Sequence, residues 1–236
     1  MSARRGPDLP YSLVAAATPC GSRWLVASAK MHAATFAPEE PRLYATFSDV
    51  LSERPSFLVI VTNTPVGFLE APGMGVRTCD REARRLLGRR GSAVRNAPTL
   101  ATLRAEVRVA GDQLDAVSAT LLPRYREVVN EMSPYRQRVV YEGHPELSFY
   151  QLNGGQPLRW SKKVEAGREE RRAVLEKKIQ GVHRIVDAEL PGVPRKHLYD
   201  VAAMLWTARR VLGHAAKRLP ADAQWDSEGL RMEFVY

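Results

Sequence analysis

At 236 residues, 44% hydrophobic and 26% charged, the chain has enough apolar content for a packed core, which excludes a disordered segment. No apolar run reaches the roughly 18 residues of a membrane span, and the opening MSARRGPDLP lacks the apolar stretch of a secretory signal, so a cytoplasmic protein without a membrane partner is expected. The formal net charge of +9 points to polyanionic partners, since it attracts phosphates and releases their counterions, although an arginine-rich solvated surface gives the same number.

Residues 1–9 read as a flexible tail, and 10–236 as a single domain. Two β-like runs, Tyr11 to Ala17 and Trp24 to Met31, flank TPCGSR and predict an antiparallel hairpin. A third strand is expected at Leu43 to Phe47, followed by a short helix that Ser48 caps and Pro55 closes. The continuous apolar run Phe57 to Thr62 suits a strand buried on both faces, ending in the turn Asn63-Thr64-Pro65. Thr78 or Asp80 can cap a helix with Ala83, Leu86 and Leu87 on its apolar face and arginines turned away. Asp80 there is a favourable charge at a helix N-terminus, or else it holds an arginine. Leu114 to Met132 is partly helical, with Pro123 in a first turn, Tyr125, Val128 and Val129 as core residues, and Glu127 solvated or salt-bridged.

Val139 to Tyr141 predict a strand that delivers two carboxylates, Glu142 and Glu146, at its carboxyl end, the edge where open α/β sheets bind ligands. Gly143 and Pro145 are expected to turn the chain there and to break any helical pattern. His144 lies between the acids, as a proton-transfer group or as a structural hydrogen-bonding residue. Glu169, Glu170 and Glu176, among Arg and Lys, suggest an exposed helix over Gly167 to Gln180. A longer helix is expected from His197 to Leu219 with Asp200 in its first turn, then a last strand within Gly229 to Tyr236. Basic residues cluster on both sides of the central acids, Arg81 to Arg95 before them and Arg159 to Lys178 after. Cys20 and Cys79 read as free thiols, and the four tryptophans stand equally as core residues or stacking platforms. The order of elements gives an α/β fold: a mixed β-sheet, antiparallel hairpin strands plus parallel strands, flanked by helices.

Several segments together carry a resemblance over nearly the whole chain: C20-G-S-R-W24, T62-N-T-P-V-G67, R77-T-C-D-R-E-A-R-R-L-L-G88, E142-G-H-P-E146, S161-K-K163, G167-R168 and Y199-D-V-A-A-M-L-W-T-A208. This set resembles the DUF429 family of ribonuclease-H-like nucleases. The resemblance implies an RNase H-like fold and a Mg2+ or Mn2+ site for phosphodiester hydrolysis on DNA or RNA, with Glu142, Glu146 and Asp200 as the acids to watch and Asp80 and Arg81 in the family's helix motif. In this enzyme reading Glu142 and Asp200, with the Asn63 carbonyl, hold the metal, Glu146 or His144 moves protons, and Lys162, Lys163, Arg168 and Arg81 steady the nucleic acid. Two family aspartates are replaced, by Thr18 at the end of the first strand and by Asn63, which removes two anions from a site that needs carboxylates. The alternative is a catalytically inactive platform that binds nucleic acid or a protein partner.

Overall fold

The computed structural model describes residues 11–105, 110–112 and 114–236; the tail expected over residues 1–9 lies outside them. Strands β1 (Ser12–Cys20) and β2 (Arg23–His32) form the expected hairpin, but pairing continues to Cys20 opposite Arg23, so that Pro19 belongs to the strand. Strands β3 (Thr35–Pro38) and β4 (Arg42–Tyr44) both pair antiparallel with β2. The strand expected at Leu43 to Phe47 overlaps β4 at Leu43 and Tyr44 alone, because Phe47 opens helix α1 (Phe47–Leu51) instead. Its cap is Thr46 rather than Ser48: Thr46 and Asp49 satisfy each other's backbone N–H groups in a capping box.

Strand β5 (Val59–Thr62) is buried at every position and lies parallel between β1 and β6 (Val140–Glu142), as its unbroken apolar run requires. The sheet order is β3-β2-β1-β5-β6, with β4 also on β2, so antiparallel and parallel halves meet at β1. The backbone alternation explains how Pro19 is tolerated. The Leu13 carbonyl accepts from the Leu58 N–H on the β5 side, so Pro19, six positions on, also faces that side, where pairing has already stopped at Ala17 opposite Thr62.

The helices that follow α1 are α2 (Thr78–Leu87), α3 (Leu100–Arg104), α4 (Ala116–Thr120), α5 (Leu122–Glu131), α6 (Pro145–Leu152), α7 (Glu165–Lys178), α8 (His183–Val186) and α9 (Arg195–Leu212). One sheet face, with Val14, Ala16, Leu25, Ala27 and Val61, packs on α9. The other, with Ala15, Ala17, Trp24, Val26 and Ile60, packs on Phe47, Val50 and Val128 of α1 and α5. Helices therefore cover both faces, and the carboxyl ends of β1, β5 and β6 share one edge. Glu127 of α5 does more than form an ion pair: besides Arg124, it accepts from the Trp24 indole N–H at 2.7 Å and from the Phe47 backbone N–H at 3.0 Å.

Two expectations need correction. Pro145 does not break a helix but begins one, at the first position of α6, where its missing N–H would have had no partner and its fixed φ suits the turn. The long C-terminal helix stops at Leu212, and Arg218 to Leu219 belong to β7 (Arg218–Trp225), which pairs with the expected last strand, β8 (Arg231–Val235), in a separate two-stranded sheet. The segment RLPADAQW shows no clean alternation because its register shifts between Leu219 and Gln224. No helix among the described residues is long and apolar enough to cross a membrane.

Candidate functional site

At the shared edge, Thr18 follows the last residue of β1 paired with β5, and Asn63 follows β5. The Thr18 hydroxyl donates to Asn63 Oδ1 at 2.9 Å, so the two positions that lack aspartate satisfy each other. Beside them Glu142, at the end of β6, is 4% exposed, and both its oxygens are taken by one guanidinium: Arg77 Nη2 reaches Oε1 at 2.7 Å and Nη1 reaches Oε2 at 2.9 Å. The Val66 N–H adds a bond to Oε2 at 3.0 Å. Arg77 spends its remaining donors on Asp80, at 3.0 and 2.7 Å, and on the Gly67 carbonyl at 2.8 Å. Asp80 thus holds an arginine, the second of the two roles open to it. Burial pushes the Glu142 carboxyl above its ordinary range, although the Arg77 charge and hydrogen bonds oppose the shift.

Glu146 lies in the first turn of α6 and is also buried. Arg171 Nη2 donates to Oε1 at 2.5 Å, and Arg90 contacts both oxygens at 2.9 and 3.3 Å. Burial pulls this carboxyl upward, but the two arginines outweigh it and hold Glu146 below the usual carboxylate range. His144 caps α6: its Nδ1 accepts from the Glu146 N–H at 3.2 Å, which leaves Nε2 to donate to the Ala93 carbonyl at 3.3 Å. With both ring nitrogens engaged and burial depressing its pKa, the imidazole is neutral and serves the helix start.

Asp200, on α9, is 2% exposed; Lys162 donates to its Oδ2, while Oδ1 has no hydrogen-bond partner among the described residues. Lys163 is exposed, and its ammonium meets no partner among the described residues. Arg168 donates to the Lys163 carbonyl at 3.3 Å and lies outside the cleft lining. Arg81 is exposed, bonds Thr78 Oγ1 at 3.1 Å, and lies outside the cleft lining.

A cleft of about 310 Å³ gathers most of these groups. It is lined by Asn63, Glu142, His144, Glu146, Lys162 and Lys163, by Arg90 and Arg95 of the basic segment expected beside the acids, and by Arg77, which had not been expected in the site. Asp200 is absent from this lining and reaches the cleft only through Lys162. Arg171 was also missed as a site residue: its place in a charge-rich helix reads as solvent-facing, yet it is fully buried, with Phe149 5.2 Å from its guanidinium carbon.

The residues do not fit a divalent metal. Each of the three expected ligands is engaged elsewhere: Glu142 by Arg77, Asn63 by Thr18, and one oxygen of Asp200 by Lys162. Among the described residues no three His, Cys, Asp or Glu side chains converge on one point. Arg77 and Lys162 supply the positive charge that these acids would otherwise draw from an ion.

Comparison with the curated proteins and with the solved structures finds no match. A family model does match, the one described as Protein of unknown function (DUF429), over residues 8–224. That match takes in all the strands of the six-stranded sheet, the whole site and α9, and the chain belongs to the DUF429 family.

Proposed function

We propose that this chain is an RNase H-like scaffold that binds nucleic acid as a cationic platform and does not cleave it by metal-assisted hydrolysis. The fold part of this reading is supported by an antiparallel unit of β1 to β4 continued by two parallel strands, β5 and β6, with a long helix, α9, lying on the sheet. The observation that carries the functional part is the neutralisation of Glu142, at the end of β6, by Arg77 and of Asp200, on α9, by Lys162. The cleft lining holds the cations Arg77, Arg90, Arg95, Lys162 and Lys163; the first two pair with Asp80, Glu142 and Glu146 in the lining, Arg95 and Lys162 with Asp115 and Asp200 outside it, and Lys163 is left with no acid partner among the described residues. An ammonium placed so attracts phosphate, and the formal net charge of +9 adds to the attraction. The competing reading, a Mg2+- or Mn2+-dependent nuclease, draws on the unpartnered Oδ1 of Asp200. A single carboxylate oxygen leaves almost the whole coordination shell to water and substrate.

The test is fluorescence anisotropy with labelled DNA and RNA oligonucleotides, followed by electrophoresis of the same samples. Binding is expected in EDTA and no tighter in Mg2+, which competes for the phosphates, with the oligonucleotide recovered intact. On a single strand the log–log salt slope should steepen by about 0.7 for each phosphate contact, and Lys163→Ala should flatten it by that amount. Cleavage that needs Mg2+ and is lost in Glu142→Ala would overturn the proposal in favour of the nuclease.

A further inference from the structure

We infer that Trp160 is a stacking platform for an unpaired base, which makes single-stranded nucleic acid the form this cleft takes; the inference rests on the nucleic-acid reading above. Trp160 is 44% exposed, and it directly precedes Ser161, Lys162 and Lys163, all of which line the cleft. Its backbone is pinned on three sides. Glu170 accepts from the N–H groups of Arg159 and Trp160 at 2.7 and 2.9 Å, and the buried Arg171 donates to the Trp160 carbonyl at 3.1 Å. Gly167 of α7 packs against the same stretch so closely that a Cβ there would lie 3.2 Å from the Trp160 carbonyl carbon. The Arg159 guanidinium carbon stands 4.9 Å from the indole centroid, a cation set against the ring.

A large apolar ring left 44% exposed, on a residue whose next three neighbours line a polar cleft, is not core packing. Its surroundings select the occupant. Arg159, Lys162 and Lys163 surround it in sequence before Glu165 opens α7, and the one carboxylate on its backbone, Glu170, is engaged by the N–H groups of Arg159 and Trp160. Trp160 and Lys162 are two residues apart, so their Cα atoms are separated by at most about 7 Å, the span of a single nucleotide. A base on the ring would therefore leave its phosphate within reach of the Lys162–Lys163 pair. Stacking of this kind needs an exposed base face, which a single strand presents along its length and a duplex hides between its pairs. Two other exposed aromatic residues also lie near arginines, Trp225 by Arg231 and Tyr135 by Arg138, but neither lines the cleft nor adjoins its lining in sequence. Trp225 therefore serves as the control.

The experiment compares the native chain with Trp160→Ala, Trp160→Phe and Trp225→Ala. The probes are a labelled single-stranded DNA, the matching RNA and a DNA hairpin closed at its open end, all in EDTA. Stacking on one base is worth about 1–3 kcal/mol, so Trp160→Ala should weaken single-strand binding by roughly 5- to 150-fold and leave the hairpin unaffected. Trp160→Phe should retain part of the lost affinity; single-strand binding is expected to quench the intrinsic fluorescence of the native chain, and this quenching should be largely lost in Trp160→Phe. Trp225→Ala should match the native chain. The inference is overturned if Trp160→Ala binds single strands natively, if it weakens hairpin and single strand alike, or if polyglutamate of equal charge competes as well as the oligonucleotide. In these cases oligonucleotide binding itself still supports the platform. A native chain that binds no oligonucleotide overturns both readings together.

Discussion

Replacing Arg77 by methionine is expected to lower the melting temperature by about 10 °C or more. The substitution keeps most of the aliphatic stem and removes the one cation between Asp80 and Glu142, which are 1% and 4% exposed. Deleting one partner of a buried ion pair costs about 3–5 kcal/mol, because the remaining charge has neither water nor counterion. For a chain of this size each kcal/mol corresponds to about 2–4 °C. Two carboxylates are stranded here, so the upper part of that range applies unless one of them takes up a proton. Arg77→Lys should rescue little: its three donors on a point charge cannot reproduce five bonds spread over two carboxylates and a carbonyl. Adding Glu142→Gln to Arg77→Met should recover part of the loss, since it removes one stranded charge. Calorimetry at pH 7 decides it, and a melting point within about 2 °C of native would mean that these acids are not buried against Arg77.

The second large effect is expected from Gly167→Ala. In an exposed helix this change stabilises by about 1 kcal/mol, because alanine loses less backbone entropy. Here the new Cβ would stand 2.0 Å from the Ser161 carbonyl oxygen and 2.6 Å from its carbon, both of them backbone atoms that cannot rotate away. The loop from Trp160 to Lys163 must move off α7, and the overpacking penalty of about 1–3 kcal/mol outweighs the helical gain. Because that loop carries Lys162 and Lys163 into the cleft, oligonucleotide affinity should fall by more than in Lys163→Ala, which removes one charge and leaves the backbone in place. Melting and anisotropy on the same preparation check both effects. A variant that is more stable than the native chain and binds as tightly would show that the loop does not press on Gly167.

What could be read from the sequence follows from how local the signals are. Strand β5 was legible because a strand buried on both faces writes itself as an uninterrupted apolar run, and the β1–β2 hairpin because each strand has its own pattern. Glu142 was legible as a group at a strand's carboxyl end. Its partner was not. Arg77 lies 65 positions away, and an arginine beside an arginine-rich helix has the pattern of a solvated face, whichever way it turns. Arg90 and Arg171 were hidden for the same reason, 56 and 25 positions from Glu146. The pairing of Thr18 with Asn63 could be expected only as a loss of charge, since a hydroxyl meeting an amide across 45 residues depends on the register between β1 and β5.

The central claim is that side-chain cations, rather than metal ions, balance the acids at this sheet edge. Electron paramagnetic resonance tests it most directly, by following the signal of free Mn2+ as it is titrated into the native chain, with Glu142→Gln and Asp200→Asn in parallel. The signal is expected to track a protein-free titration in all three samples. Loss of one or two equivalents of Mn2+ signal in the native chain, restored in either variant, would contradict the account and place a metal centre where Arg77 and Lys162 now stand.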